Sequence, residues 1–246
     1  MDCVASIFPF EAEAYRKAGA NVTFVGHPLV DTVHPVMTEQ EAMTHFGARK
    51  EAKRILLMPG SRKNEVRDLL PVMLKAGKQL MKMADCQFFM PRAETIPEEM
   101  LTSLIEQEGD ISVTITEGHQ YDLMSICTAC IASSGTATLE TALMEIPTVL
   151  VYKLAPVTWF LAKHLVHVKY AGLPNLLLNR EVTPELLQDA VTPEHIVEIA
   201  GAWITDETKR QQNIQELKEV RSKLGDSGAV RRTGELILNT ARIGKG

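Results

Sequence analysis

The stretch Ile131–Tyr152, IASSGTATLETALMEIPTVLVY, decides the reading of this chain. A short apolar run ends in Ser133, Ser134, Gly135 and Thr136, a helical segment follows, and a second apolar run from Thr148 closes it. Strand, small-residue turn, helix and strand in that order form one unit of a parallel α/β sheet. A helix N-terminus offers unpaired N–H groups and the positive end of the helix dipole. A turn of residues small enough to let a ligand touch backbone therefore suits an anion such as phosphate. Ser134, Gly135, Thr136 and Ala137 are candidate ligand contacts on this ground. Glu140 lies four residues past Thr136, on the same helix face and one turn deeper, where a carboxylate can accept from the two hydroxyls of a ribose diol. An ordinary capped helix with a solvated glutamate has the same pattern.

Outward from this unit the alternation continues. Upstream it runs from RILLMPGS at Arg54, through the helix EVRDLLPVMLKAGKQLMKM and the strand CQFFMPRA, to the helix IPEEMLTSLIEQEG, the strand ISVTITEG and the helix QYDLMSICTA. Regular strand and helix alternation predicts a Rossmann-like, doubly wound parallel sheet with helices on both faces, over residues 54–180. Such sheets bind ligands beyond the carboxyl ends of their strands. A second loop of this kind is Pro59 to Arg62, PGSR, where Gly60 and Ser61 form the turn and Arg62 offers a fork for phosphate oxygens. A surface arginine paired with Glu65 or Asp68 is the plainer alternative.

Before this region, CVASIFPF and NVTFVGHP read as strands around a helix, and residues 29–53 as a linker with a short helix. With no earlier strand to pair with, residues 1–28 read as the tail of a preceding α/β domain, leaving Val4 to Phe8 and Val22 to Val25 without partners and favouring self-association. Residues 181–246 read as a helical C-terminal tail. Thr183-Pro184 and Thr192-Pro193 each look like an N-cap before proline at the first helical position.

Composition excludes more than it assigns. The 246 residues carry a formal net charge of −5, with 45% hydrophobic and only 5% aromatic residues, so a general nucleic-acid binder with stacking platforms is not indicated. Cys3, Cys86, Cys127 and Cys130 do not space as a disulfide framework, and the Cys127/Cys130 pair lacks a second pair for zinc, so buried thiols in a reducing cytoplasm are expected. No apolar run approaches the roughly 20 residues that span a bilayer. Trp159 to Lys169, WFLAKHLVHVK, reads either as a core helix or as an amphipathic contact with a membrane surface. His27 and His119 stand without an evident partner, Asn175 in LPNLLLNR offers an amide to a sugar or pyrophosphate, and Tyr170 lies just before it. P-loop, dinucleotide-fingerprint and Ser-His-Asp patterns are absent.

Taken together, GHPLVD, PGSRKNEV, SSGTATLE and YAGLPNLL resemble the lipid-A-disaccharide synthase family, from about Ser6 to the final helices. The resemblance implies the C-terminal half of a two-domain glycosyltransferase of the GT-B type, acting at the inner face of the inner membrane. Its donor would be UDP-2,3-diacylglucosamine and its acceptor 2,3-diacylglucosamine 1-phosphate, with UDP released and neither metal nor other cofactor. It places donor contacts on Gly60, Ser61, Arg62, Ser134, Gly135, Thr136, Ala137, Glu140, Tyr170 and Asn175, and charge stabilisation of the leaving diphosphate on Arg62. The general base would belong to an N-terminal domain ahead of Met1. A UDP-binding module without turnover, or another UDP-sugar enzyme of the same fold, are the alternatives.

Overall fold

The computed structural model describes residues 3–154 and 169–243, so the Trp159 to Val168 part of the apolar-cationic segment lies outside the described residues. In chain order the elements are β1 Val4–Ser6, α1 Pro9–Lys17, β2 Val22–Phe24, α2 Leu29–Thr32, α3 Glu39–His45, β3 Lys53–Met58, α4 Lys63–Leu80, β4 Cys86–Pro91, α5 Glu98–Glu108 and β5 Val113–Thr116. They continue with α6 Gln120–Ile126, β6 Ala129–Ser133, α7 Thr136–Leu143, β7 Thr148–Tyr152, α8 Leu173–Leu178, β8 Glu185–Leu187, α9 Pro193–Thr205, α10 Glu207–Lys223 and α11 Ala229–Ile243.

Among the described residues, six strands form one parallel sheet in the order β5-β4-β3-β6-β7-β8. The winding reverses between β3 and β6, which are hydrogen-bonded neighbours with Ile55 opposite Ala129 and Met58 opposite Ala132. That reversal leaves a crevice at their carboxyl ends.

The sheet is buried on both sides, as the continuous apolar runs require. Ile55, Leu57, Ala129 and Ile131 face one way and pack with Val66, Leu70, Met73 and Leu74 of α4, together with α5 and α9. Leu56, Phe89, Cys130 and Ala132 face the other way, against α3 and α6. The spacing of Val66, Leu69, Leu70, Met73, Leu74 and Leu80 is that of a helix with one buried stripe, and all six are buried. Thr38 and Glu41 start α3 as a reciprocal capping box. Cys130 is buried and Cys127 half-buried, both as free thiols; desolvation pushes Cys127 up to about 12 and Cys130 well above the ordinary thiol range.

Three sequence expectations are corrected. Val4 to Ser6 and Val22 to Phe24 do have partners, because they pair with each other as a two-stranded parallel sheet with Val4 opposite Val22. Residues Pro9 and Phe10 start α1 instead of extending the first strand. Thr183-Pro184 does not open a helix. Glu185–Leu187 adds to the edge of β7, and Pro184, which has no N–H, enters the edge strand through its carbonyl, accepting from Leu150 N at 2.9 Å. Thr192 does cap α9, accepting from His195 N at 3.2 Å ahead of Pro193.

Candidate nucleotide-binding cleft

The crevice between β3 and β6 is a cleft of about 380 Å³. The loop after β3 supplies Gly60, Ser61 and Arg62; the turn after β6 supplies Ser133, Ser134 and Gly135; the first turns of α7 supply Thr136, Ala137 and Glu140. Two loops about 75 residues apart in the sequence are joined because their strands are neighbours at the point where the sheet reverses.

Local geometry explains the glycines. Gly60 has φ +115°, and a side chain there would sit 2.6 Å from Glu65 Oε2 and 3.1 Å from Ser133 Oγ. Gly135 has φ +148° and nothing within 4 Å of its missing Cβ, so the backbone at the start of α7 is open to a ligand. No side chain caps α7 at Gly135 and no acid stands in its first turn, which leaves the N–H groups of Thr136 and Ala137 to the cleft. Thr138 instead ties back, its hydroxyl donating to Gly135 O at 2.8 Å.

Charge is arranged around this opening. Arg62 is largely exposed and paired with Glu65 at 2.6 Å, whose own side chain is mostly buried. That pairing is the plainer alternative raised by the sequence, and the same guanidinium also lines the cleft. Glu140 is half-buried, and Tyr121 donates its hydroxyl to Glu140 Oε1 at 2.8 Å. Burial raises the Glu140 pKa above the usual carboxylate range, and the Tyr121 hydrogen bond only partly opposes this. Gln120 Nε2 reaches the same oxygen at 3.5 Å.

Several of these residues were not singled out by sequence. Arg92, in the loop after β4, lines the cleft while ion-paired to Glu117 and donating to Ile96 O at 2.9 Å. Thr95 fastens the two strand-end loops together by donating to Ser61 O at 2.6 Å. Gln120 and Tyr121 follow β5, a strand end that the general rule for such sheets already marks, but their register toward Glu140 has no sequence signal.

Two expected contacts lie elsewhere. Asn175 is fully buried in α8, its amide donating to Thr183 O and Glu185 Oε1, both at 2.7 Å, and accepting from Val182 N and Thr183 N at 2.7 and 2.9 Å. With donors and acceptor spent within the protein, it holds α8 to β8 and does not line the cleft. Tyr170 is half-buried beside Lys169, whose Nζ lies 4.9 Å from the ring centroid, and is likewise not among the lining residues. His119 has a partner after all, Asp122 at 3.2 Å, and His27 accepts from Leu29 N at 3.1 Å in a buried setting that lowers its pKa.

The fold is shared with solved UDP-sugar enzymes. A UDP-GlcNAc 2-epimerase from Neisseria meningitidis, bound to UDP-GlcNAc, superposes with a TM-score of 0.65 at 12% identity, over 96% of this chain and 61% of its own. The Staphylococcus aureus MnaA–UDP structure superposes with a TM-score of 0.66 at 13% identity, over 97% of this chain and 61% of its own. At the level of sequence, the chain is 37% identical over 239 residues to the lipid-A-disaccharide synthase of Geobacter sulfurreducens, and 36% identical over 247 residues to that of Myxococcus xanthus. These alignments cover 97% and 100% of the chain but only 62% and 64% of the relatives. The family model described as lipid-A-disaccharide synthetase matches residues 1–239. A match of that extent, spanning the strand-end loops, the turn before α7 and the helices that follow, makes this chain a member of the lipid-A-disaccharide synthetase family.

Proposed function

We propose that this chain forms the donor side of a lipid-A-disaccharide synthase and binds the UDP moiety of UDP-2,3-diacylglucosamine. The observation that carries the reading is the meeting of the Pro59–Arg62 loop, the Ser134–Ala137 turn and Glu140 in one cleft at the sheet's reversal. The diphosphate would lie against the N–H groups of Thr136 and Ala137, where the helix dipole favours negative charge. Glu140 would accept from the ribose diol. Arg62 would exchange Glu65 for the diphosphate and stabilise the charge that develops as UDP departs. Asn175 supports this site through α8 and β8 instead of touching the ligand.

The reaction in this reading is displacement of UDP by the hydroxyl of 2,3-diacylglucosamine 1-phosphate. The acceptor contacts and the carboxylate acting as base belong to the portion of the relatives that the chain does not span, and so does any closing of the cleft against water. For these 246 residues taken by themselves, the reading predicts UDP binding without disaccharide synthesis. The same proposal places it in the cytoplasm at the inner membrane face, with Trp159 to Lys169 as the contact; vesicle sedimentation with anionic lipid decides that point. Among the described residues no helix is long and apolar enough to cross a membrane.

Replacing Glu140 with alanine should weaken UDP binding by about 1–3 kcal/mol, the range for a lost hydrogen bond to a charged group. Calorimetry with the two proteins tests this, and equal affinities would remove Glu140 from the site. The epimerase-like fold favours one other reading, a different UDP-sugar enzyme. Preference for the acylated donor over UDP-GlcNAc separates the two.

A further inference from the structure

The cleft contains a hydrogen bond that the nucleotide reading does not itself require. Tyr121 and Gln120 both donate to Oε1 of Glu140, at 2.8 and 3.5 Å, and among the described residues no protein donor meets Oε2. The Tyr121 ring does not depend on Glu140 for its place, since it packs against two apolar clusters at once, one with Leu139 and Leu143 of α7 and the other with Leu123 and Met124 of α6. Its neighbour Asp122 anchors the same helix turn by accepting from Val36 N at 2.6 Å and Met37 N at 2.7 Å.

We propose that Tyr121 is a positioning residue for the nucleotide site, its hydroxyl fixing Oε1 of Glu140 so that Oε2 is presented to a vicinal diol in the cleft. The inference rests on the nucleotide reading for the identity of the diol, and on the geometry alone for the link between Tyr121 and Glu140. An exposed glutamate would sample several rotamers and lose that freedom on binding; a carboxylate held from behind by a packed phenol has already lost it.

The hydrogen bond also governs charge. A phenol donates to the ionised carboxylate, so it opposes the upward push of burial on the Glu140 pKa. On the elements around Glu140, β6 and α8 have no charged residue and β7 has only the phenol of Tyr152. Burial and the Tyr121 hydroxyl are the influences that set the direction of its pKa, and Arg62, Glu65 and Arg92 share the cleft. Removing the Tyr121 hydroxyl should therefore raise the Glu140 pKa further.

The test compares the parent, Tyr121→Phe, Glu140→Gln and the double variant by UDP calorimetry from about pH 5 to 8, a range chosen to bracket a raised carboxylate. Phenylalanine keeps the ring and its packing, and thermal melts check this. At neutral pH Tyr121→Phe should bind UDP about five-fold more weakly, the value of one hydrogen bond. Its acid limb should lie at higher pH than the parent's, because the carboxylate that accepts the diol is protonated sooner as pH falls. In the Glu140→Gln background the same change should have no added effect. Parent affinity with an unchanged acid limb, or a full additional loss on top of Glu140→Gln, would overturn the proposal. Carboxyl NMR titration of Glu140 in the ligand-free proteins gives a readout independent of UDP. An unmoved Glu140 pKa in Tyr121→Phe refutes the link, whereas a moved pKa with no UDP binding by the parent refutes the nucleotide reading alone.

Discussion

Asp122 is only 2% exposed, and such a carboxylate survives in a protein only when its oxygens are used. Burial by itself would raise its pKa. The N–H groups of Met37 and Val36, and then His119, outweigh burial and leave the value below the ordinary aspartate range. A depressed carboxylate contributes stability that is present above its unfolded pKa, near 3.9, and is lost as pH falls through the lower folded value. Asp122→Ala should therefore cost about 2–3 kcal/mol at neutral pH, with two charge-assisted bonds lost and two N–H groups orphaned. The difference from the parent should shrink below about pH 4. Urea unfolding at neutral and acid pH measures both; a deficit that stays constant with pH would mean the loss comes from packing.

At the scale of elements, α8 and β8 form one device. Glu185 accepts from Ala171 N at 2.8 Å, Gly172 N at 2.9 Å and Asn175 Nδ2 at 2.7 Å, so the strand that edges the sheet also secures the segment entering α8. Asn175→Ala would leave Val182 N, Thr183 N and Thr183 O without their partner inside the protein. We expect a loss of about 2–4 kcal/mol in unfolding free energy, the scale for breaking a buried polar network. UDP affinity of the folded fraction should be unchanged, because the amide does not reach the cleft. A large affinity loss with little change in stability would return Asn175 to the binding site.

On the whole-molecule scale, the small β1–β2 sheet is held by the C-terminal helices. Phe8 and Val33 pack with Leu217, Val220 and Leu224 in one buried cluster, and His27 N donates to Leu224 O at 2.9 Å. Arg232 of α11 completes the seam, donating to Val25 O at 2.8 Å, Ser227 O at 2.7 Å and Asp226 O at 2.5 Å. Arg232→Ala should loosen this seam first, costing about 1–3 kcal/mol locally by lost hydrogen bonds. Faster amide exchange at Val22 to Val25 than in β3 or β6 is the expected signature. Uniform acceleration across both sheets would show that they unfold as one unit.

Periodicity and turn chemistry made most of the six-stranded sheet legible. Continuous apolar runs such as Ile55–Leu57 and Cys130–Ala132 have no reason to exist outside a sheet covered on both faces, and glycine at 60 and 135 marked the two turns where backbone must be open. The loop–helix part of the cleft was therefore readable from local chemistry, since a helix start and a carboxylate one turn deeper are near in sequence. What lay beyond reach depended on contacts distant in sequence. Thr183-Pro184 has the local pattern of a helix start, but the open edge of β7 offered hydrogen bonds that outweighed it, and only pairing reveals that. Asn175 had a side chain suited to a ligand, and the folding of residues 182–185 back onto it consumed every donor and acceptor. Tyr121 meets Glu140 because folding brings the first turn of α6 to the second turn of α7, a proximity that packing alone creates. Sequence thus determined where the backbone lies open at the sheet's reversal, and tertiary structure decided which side chains line that opening.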